Sequence, residues 1–376
     1  MHTKPNFIEH RAQLQTACRR WIALDAIALD TEFERTRTYY PRPALIQIFD
    51  AERVTIIDPL GIDDFAPLAE LLQCPGITKV MHAAEGDIEI LEQLAGVTPN
   101  PVFDTQLAAA FAGHGFSLGY RTLVERLLGE RIAKDETRSD WLKRPLSDAQ
   151  IAYAALDVLH LLPMYRILKN TLVELGREAW LREEIERIQR RRDADRDPRR
   201  AYQRIRSAGR LDATERAALR ELAAWRELEA RKRDVPRQAI LDDAVMIDLA
   251  AALPADESAL AAIPALAQAA RSRYADSLLE RVARARSAPA DAEPSTESAM
   301  EPRYTPRLKV LKQIVREQAE ALGIPAPLLA QSRILESLVQ AAASGKAALP
   351  EELRGWRQAI IGTPLLRALE TMDDQT

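Results

Sequence analysis

Short apolar runs alternate with amphipathic stretches through the first 180 residues of the chain. Four runs rich in β-branched residues predict strands at residues 26–33, 44–50, 54–58 and 77–82. The first three runs follow one another closely, which predicts an antiparallel meander. Helical periodicity predicts helices at residues 64–73, 86–95, 105–112, 119–128 and 148–175. Strands followed by alternating helices indicate an α/β domain whose sheet is covered on its faces.

The pattern changes near residue 180, where strand-forming runs stop. Residues 181–210 contain eleven Arg against six acidic residues, a local net charge of +5. Residues 211–286 and 307–376 are rich in Ala, Leu and Arg at helical spacing. Between them, residues 287–306 have the Pro, Ser and Glu content of a flexible linker. We therefore predict an α/β domain over 1–180, an Arg-rich connecting segment, and two helical domains joined by a linker.

The two helical domains resemble copies of each other. Three features recur at one offset of 89 residues: Leu222 and Leu311, Val235-Pro236 and Ile324-Pro325, and Leu249 and Leu338. Repeated features at a constant offset, in the same helical order, predict a tandem duplication.

Composition narrows the class of protein. A chain of 376 residues with 47% hydrophobic and 29% charged residues is typical of a globular protein of two or three domains. We find no apolar run of about 18 residues and no signal sequence, and so expect no membrane partner and a cytoplasmic protein. Cys18 and Cys74 are the two cysteines, too few for a disulfide framework, and we expect no disulfide partner.

Two carboxylates on the first predicted strand, Asp30 and Glu32, are candidates for a metal site. Residues i and i+2 of a strand point to the same face, so both project together from an otherwise apolar strand. Burying two carboxylates is costly unless something neutralises them, as a divalent cation does. Asp-x-Glu alone is also typical of an acidic strand end in a loop.

Further acidic residues lie after strands or within a helix. Asp87 and Asp104 both lie where a strand runs into a helix, where a carboxylate can cap the helix or support a site. Tyr153 and Asp157 are four residues apart in a predicted helix and share one face. Small and apolar neighbours surround Asp157 in the sequence, which indicates an enclosed carboxylate with a partner.

The order of these residues is more specific than any one of them. Asp-x-Glu, then Asp, then Tyr-x3-Asp resembles the pattern of the DEDD 3′→5′ exonucleases, in the subclass that carries Tyr rather than His in the last motif. The segments ALDTEFERTRTYYPRPALIQIFD, KVMHAAEGDIEIL, VFDTQLAAAF and YAALDV resemble the ribonuclease D family, and the helical repeats resemble its HRDC domains. The resemblance implies a ribonuclease H-like mixed sheet covered by helices, followed by two all-α HRDC-like bundles.

The resemblance also implies a catalytic mechanism with two divalent cations. Asp30 is expected to bridge both cations. Glu32 and Asp157 are expected to hold the one beside the attacking water, and Asp87 the one beside the leaving 3′ oxygen. Oxygen ligands without a cysteine cluster favour Mg²⁺ or Mn²⁺ over zinc. Tyr153 is expected to orient the attacking water through its phenol.

Arginine and aromatic residues near these motifs are candidates for RNA contacts, because rings stack on bases and arginine neutralises phosphates. They are Arg35, Arg37, Tyr39, Tyr40, His82, Arg138, Trp141, Arg226 and Arg233, with Arg144, Arg231 and Arg237 as further basic candidates. Structural roles are equally consistent with the sequence for both tyrosines and the histidine, and a buried tryptophan is commoner than a stacking one.

The sequence therefore predicts a metal-dependent 3′→5′ exoribonuclease that releases nucleoside 5′-monophosphates. From the resemblance, its expected substrate is RNA with a single-stranded 3′ end, above all tRNA precursors. Two alternatives stay open. A non-catalytic RNA-binding scaffold is disfavoured by the intact carboxylates, and a 3′→5′ DNA exonuclease is disfavoured by the pair of HRDC-like domains.

The net charge of −4 is the sum of segments with opposite charges. Residues 1–180 carry −6, residues 181–210 carry +5 and residues 211–376 carry −3. The candidate metal ligands contribute four of the acidic charges, which bound cations would offset. The overall charge is therefore no argument against RNA as a partner.

Overall fold

The structure, a computed structural model, describes residues 4–132, 139–206, 208–287, 302–345 and 348–373. The chain divides into two compact units. Their ranges are Met1–Glu34, Arg42–Ile188 and Pro302–Thr376 for the first unit, and Arg35–Pro41 and Gln189–Glu301 for the second. The second predicted helical domain thus belongs to the same compact unit as the α/β domain. Most of the predicted linker lies outside the described residues.

A six-stranded mixed sheet forms the centre of the first unit. Its strands are β1 (Asn6–Ile8), β2 (Ala26–Glu34), β3 (Arg42–Phe49), β4 (Val54–Ile57), β5 (Thr78–Met81) and β6 (Val102–Asp104). They lie in the order β1-β4-β3-β2-β5-β6. β2, β3 and β4 pair antiparallel, which confirms the predicted meander, and the other neighbours pair parallel. β1 was not predicted, because three residues are too few for a periodic signal.

Helices cover both faces of this sheet. The helices of this region are α1 (Arg11–Trp21), α2 (Ala66–Gln73), α3 (Glu85–Ala95), α4 (Thr105–Phe111), α5 (Tyr120–Leu128), α6 (Asp148–Leu159), α7 (Leu161–Glu174) and α8 (Glu178–Asp195). α1, α2 and α3 pack on one face through a core that includes Ile27 and Leu29, and α6 packs across β2, β3 and β4. Because side chains alternate along a strand, Asp30 and Glu32 point away from the first core, toward α6.

One stretch, Asp148–Glu174, is long and apolar enough to cross a membrane by length and composition alone. It comprises α6 and α7, which replace the single predicted helix. Pro163 lies in the first turn of α7 and has no N–H to donate to the Leu159 carbonyl, so a continuous helix would lose that hydrogen bond. Ala154 and Val158 of this stretch are buried in the first unit. Its composition is weak evidence for a membrane span, since core helices share it.

The C-terminal helices of the first unit pack against α8. They are α14 (Thr305–Leu322), α15 (Ala326–Leu329), α16 (Ser332–Ala343) and α17 (Thr363–Asp373). The rings of Trp180 and Trp356 stack with their centroids 4.8 Å apart. Arg357 forms a buried ion pair with Glu184 at 2.6 Å and donates two hydrogen bonds to the Leu328 carbonyl. Apolar stacking and a buried charge pair together fix this contact.

The second unit is a helical bundle. Its helices are α9 (Ala213–Arg233), α10 (Arg237–Ile240), α11 (Asp243–Ala252), α12 (Glu257–Ala261) and α13 (Gln268–Ser287). The starts of α10 and α15, and those of α11 and α16, are offset by 89 residues. Leu222, Leu249, Leu311 and Leu338 are all fully buried. The repeated sequence features therefore mark equivalent core positions of two similar bundles.

We expect Arg357→Met to destabilise the first unit by about 3 kcal/mol, because it leaves the buried Glu184 without one of its charge partners. Burial would raise the pKa of Glu184, yet hydrogen bonds from Arg187 and Arg357 lower it to about 2. Urea unfolding followed by tryptophan fluorescence measures the destabilisation. Arg354→Met is the matched control, since Arg354 is exposed on the same segment. Equal stability of the two variants would contradict a structural role for the ion pair.

Candidate active site

Asp30 and Glu32 of β2 and Asp157 of α6 come together on one face of the sheet. Each offers a carboxylate oxygen, and the three oxygens lie within 4.8 Å of one another. The alternation of β2 aims the first two side chains at α6, and the packing of α6 across the sheet supplies the third. Three carboxylate oxygens at this spacing suit a divalent cation, which prefers oxygen ligands.

Asp87 is tied to the same strand by Thr31, the residue between Asp30 and Glu32. One carboxylate oxygen of Asp87 accepts the Thr31 backbone N–H at 3.1 Å and the Thr31 hydroxyl at 2.6 Å. Asp87 itself is buried in the first turn of α3. The four predicted carboxylates are therefore neighbours, with Asp87 outside the closest group of three.

Burial raises the pKa of all four carboxyl groups, and repulsion from the other carboxylates of the site adds to this effect for Asp30 and Glu32. Burial is the largest cause for each group and raises the pKa of Glu32 to about 8 and those of Asp87 and Asp157 to about 7. The pKa of Asp30 also lies well above its usual value, because burial is reinforced by repulsion from Asp87, Asp157 and Glu32. Carboxylates held in this way fit a divalent cation, which would relieve both effects.

Tyr153 lies one helical turn before Asp157 and donates a hydrogen bond to it. Burial, followed by the charge of Asp157, raises the pKa of Tyr153 to about 12. The phenol therefore keeps its proton near neutral pH and is a hydrogen-bond donor rather than a base. Its role in orienting the attacking water stays a prediction.

Trp141 packs behind Tyr153 instead of offering a stacking surface for RNA. Its ring centroid lies 5.8 Å from that of Tyr153, and it is only 6% exposed in a core with Leu45 and Ile56. The prediction of RNA contact by Trp141 is therefore wrong, because its ring has no free face. Arg144, close by in the sequence, pairs with Asp58 at 2.8 Å. Arg138 lies outside the described residues.

Arg121 is a charged neighbour of the site that the sequence analysis missed. It lies on α5, and its positive charge lowers the pKa values of both Asp157 and Tyr153, opposing the effect of burial. A single arginine on an amphipathic helix gives no signal in the sequence. Only the packing of the helices brings it to the carboxylates.

Asp104 and His82 have structural partners behind the site. Asp104 caps α4 by accepting the N–H groups of residues 106 and 107, and it also accepts those of Ala83 and Ala84, just before α3. It thereby fixes the turn that leads to Asp87, which agrees with the predicted supporting role. The ring nitrogens of His82 contact the Thr105 hydroxyl at 2.9 Å and the Leu118 carbonyl at 3.1 Å.

The prediction that His82 contacts RNA is wrong, because both of its ring nitrogens have partners within the protein. Burial lowers its pKa, although Asp104 and the Leu118 carbonyl act in the other direction. Nε2 can donate to the Leu118 carbonyl, and Nδ1 contacts the Thr105 hydroxyl, which also donates to the Met81 carbonyl at 3.0 Å. Both nitrogens are then occupied, so His82 holds the protein together rather than contacting RNA.

Tyr39 has a structural partner within the second unit. Its hydroxyl donates to the buried carboxylate of Glu227 and accepts from Arg231 at 2.9 Å and Arg237 at 3.2 Å. This network occupies the hydroxyl, and both guanidinium groups lie over the ring. The prediction that Tyr39 stacks on a base is therefore wrong, because arginines already cover the ring.

The remaining RNA candidates differ in exposure. Arg226 is buried, pairs with Asp243 at 2.8 Å and donates to the Leu241 carbonyl, so its predicted RNA contact is also wrong. Arg233 is exposed and donates to the Tyr274 hydroxyl. Arg35, Arg37 and Tyr40 are exposed and stay candidates for RNA contact.

Comparison with known proteins identifies families for both parts of the chain. Residues 5–173 match the family described as 3′-5′ exonuclease. Residues 215–282 match the HRDC domain family, and residues 302–365 match the family described as Ribonuclease D, C-terminal HRDC domain. These matches agree with the predicted α/β domain and its two HRDC-like bundles.

Relatives of nearly equal length share this arrangement. The chain is 41% identical over 367 residues to Ribonuclease D of Pseudomonas paraeruginosa, covering 97% of both chains. It is 36% identical over 364 residues to Ribonuclease D of Escherichia coli, covering 95% of this chain and 96% of that protein. The crystal structure of E. coli RNase D, an exoribonuclease involved in structured RNA processing, superposes with a TM-score of 0.88 at 35% identity, covering 98% of this chain and 99% of that one.

Identity of this extent over nearly the whole length exceeds what a shared fold alone would give. The family is dependent on divalent metal, and this chain brings an acidic cluster together at the matching motifs. Its HRDC domains indicate that its substrate is RNA. The chain therefore belongs to the ribonuclease D family and is a 3′→5′ exoribonuclease.

Proposed function

We propose that this exoribonuclease trims the single-stranded 3′ ends of RNAs that have a folded body, with tRNA precursors as the main substrate. We further propose that it uses two Mg²⁺ or Mn²⁺ ions held by Asp30, Glu32, Asp87 and Asp157. The observation that carries the proposal is the close approach of three carboxylate oxygens, within 4.8 Å, beside a fourth carboxylate tied to the same strand.

Each residue of the site has its own expected role in catalysis. Asp30, Glu32 and Asp157 would hold one cation, and Asp30 and Asp87 would hold a second. One Asp87 oxygen accepts both hydrogen bonds from Thr31, so the other oxygen would be available as a ligand. Such cations supply charge neutralisation at the scissile phosphate and favour ionisation of the attacking water. When a cation engages the Asp157 carboxylate, the single phenol proton of Tyr153, which Asp157 otherwise accepts, would be donated to this water and would orient it. The positive charge of Arg121 favours the ionised form of Asp157, which burial disfavours.

An exposed basic surface of the second unit supports binding of an RNA body. Arg231 donates to the Tyr39 hydroxyl and to the Arg196 carbonyl at 2.7 Å, so the segment Arg35–Pro41 and the Arg-rich segment meet there. Arg37 and Arg199 lie on these two segments, are exposed, and have no ion pair within the part of the chain that the structure describes. Uncompensated arginines of this kind bind phosphates.

We also propose that the protein is located in the cytoplasm. Cys18 is buried and Cys74 is half-buried, and both are free thiols. Free thiols suit a reducing compartment, where the RNA substrates are also present. Fractionation of cells that express the chain with a C-terminal tag would test the location, and recovery in the membrane or periplasmic fraction would contradict it.

We expect Asp30→Asn to abolish release of nucleoside monophosphates while RNA binding persists, because the substitution keeps the shape but removes a metal-ligand charge. Tyr153→Phe should lower kcat by about tenfold to a hundredfold and leave KM nearly unchanged, because only the orientation of water is lost. Single-turnover digestion and filter binding of a 3′-extended RNA measure the two quantities.

Asp58→Asn is the control for these variants, because Asp58 is a carboxylate of the same unit that pairs with Arg144 instead of lining the site. Its activity should stay near that of the wild type. Full activity of Asp30→Asn would refute the assignment of the carboxylates, and an unchanged kcat in Tyr153→Phe would remove the phenol from the mechanism.

We expect divalent cations to stabilise the protein more at pH 8 than at pH 5. The ordinary pKa values are 3.8 for Asp and 4.5 for Glu, and the folded site raises them to about 7 to 8. The folded state therefore binds protons more tightly, and the stability this provides is lost as pH rises through 7 to 8. A cation that replaces those protons has its largest effect where they are absent.

Thermal unfolding with EDTA or with Mn²⁺, at both pH values, tests this expectation. The Asp30→Asn variant is the control, because the difference between its curve and that of the wild type isolates the site from other titrating groups. Calorimetric titration at pH 8 should give two Mn²⁺ per chain. Equal stabilisation at both pH values, or a single bound ion, would contradict the two-cation site.

We expect a tRNA with a 3′ extension to be shortened faster than single-stranded DNA of the same 3′ sequence. The double variant Arg37→Gln/Arg199→Gln should bind that tRNA more weakly. The slope of its log affinity against log salt concentration should fall by about 0.7–0.9 for each phosphate that an arginine no longer neutralises. Arg19→Gln is the matched control, since Arg19 is exposed on α1. Faster digestion of the DNA would favour the alternative of a DNA exonuclease.

A further inference from the structure

Gln47 of β3 is a buried amide without a hydrogen-bond partner. Its side chain is 0% exposed, and neither Nε2 nor Oε1 has a partner among the described residues. Buried amides are rarely left unpaired, because each unpaired donor or acceptor destabilises the fold. The loss of stability that this unpaired amide causes indicates a role for Gln47 other than packing.

The register of the sheet places Gln47 directly opposite Asp30. The two residues are cross-strand partners in the antiparallel pairing of β2 with β3. Directly opposite residues point to the same face, with Cβ atoms about 4.5–5.5 Å apart. The amide therefore lies beside the Asp30 carboxylate, on the face that α6 covers. Its lack of exposed surface excludes contact with RNA.

Asp30 lacks the side-chain support that two of the other carboxylates have. Thr31 fixes Asp87 through its hydroxyl, and Tyr153 donates to Asp157. For Asp30, the described residues supply only a backbone hydrogen bond from Thr31. Gln47 is the side chain whose place in the sheet can supply the missing donor.

We propose that Gln47 is the positioning residue for Asp30, an inference that rests on the proposed cation site. With a cation bound, the Gln47 Nε2–H would donate to a carboxylate oxygen of Asp30. This hydrogen bond would hold the Asp30 carboxylate in one orientation. Partners of this kind around metal ligands control both ligand orientation and metal affinity.

The proposal predicts opposite effects of Gln47→Leu in the absence and presence of metal. Without metal, the variant should have a higher Tm than the wild type, because an unpaired buried amide is replaced by an apolar side chain of similar volume. Its Mn²⁺ concentration for half-saturation should rise about tenfold or more, because Asp30 loses its donor. Thermal unfolding in EDTA and calorimetric titration with Mn²⁺ measure these effects without RNA.

Thr55→Val is the matched control. Thr55 of β4 is 1% exposed and its hydroxyl also lacks a partner among the described residues. It is the cross-strand partner of Ile48, which belongs to the core on the other face of the sheet. Its substitution should likewise raise the metal-free Tm but leave Mn²⁺ affinity unchanged.

Gln47→Met separates hydrogen bonding from packing. The variant keeps the length and unbranched shape of the side chain but has no N–H donor, so Mn²⁺ affinity should fall as in Gln47→Leu. At saturating Mn²⁺, the KM for RNA should stay that of the wild type in both variants, because neither contacts RNA.

The outcomes distinguish this inference from the proposed function. Unchanged Mn²⁺ affinity in Gln47→Leu or Gln47→Met, with normal binding by the wild type, overturns the role of Gln47 alone. Failure of the wild type itself to bind Mn²⁺ overturns the cation site. If Gln47→Leu does not fold, as judged by circular dichroism, Gln47→Met provides the same test with an unbranched side chain.

Discussion

Electrostatic repulsion among Asp30, Glu32, Asp87 and Asp157 is the constraint around which the exonuclease region is arranged. Burial strengthens this repulsion, since charges interact more strongly away from water, and the raised pKa values of Asp30 and Glu32 reflect both burial and repulsion. The fold keeps the four carboxylates together although their negative charges repel one another. Such an arrangement stores the cost of assembling a cation site in the folded protein, so that binding the cations releases it.

The sheet and its covering helices oppose that repulsion. β2 carries two of the carboxylates on one face and Thr31, which holds Asp87, on the other. Lys79 secures the neighbouring strand, because its buried amino group donates to three backbone carbonyls. Asp104 then fixes the turn between that strand and α3. Each of these contacts lies outside the group of three carboxylates, and together they set the geometry within it.

The corrected RNA candidates share one physical cause. Arginine beside an aromatic ring has the same sequence pattern whether the pair binds RNA or stabilises the fold. Tyr39 and Arg226 proved to be held by Glu227 and Asp243, and Trp141 by the core behind Tyr153. Exposure distinguishes the two roles, and exposure depends on which helices pack together. Arg37 is an arginine like Arg226, but its side chain is exposed to solvent.

Local and periodic features of the chain, together with the order of its motifs, were sufficient to predict the meander of β2 to β4, the duplicated helical bundles and the four carboxylates of the site. Alternation and spacing encode such features directly. Other relations became visible only in the folded chain: Arg121 and Gln47 adjoin the site, Trp141 is buried, and the C-terminal bundle packs with α8. Those relations join residues far apart in the chain, and they depend on strand register and helix packing, which no local pattern encodes.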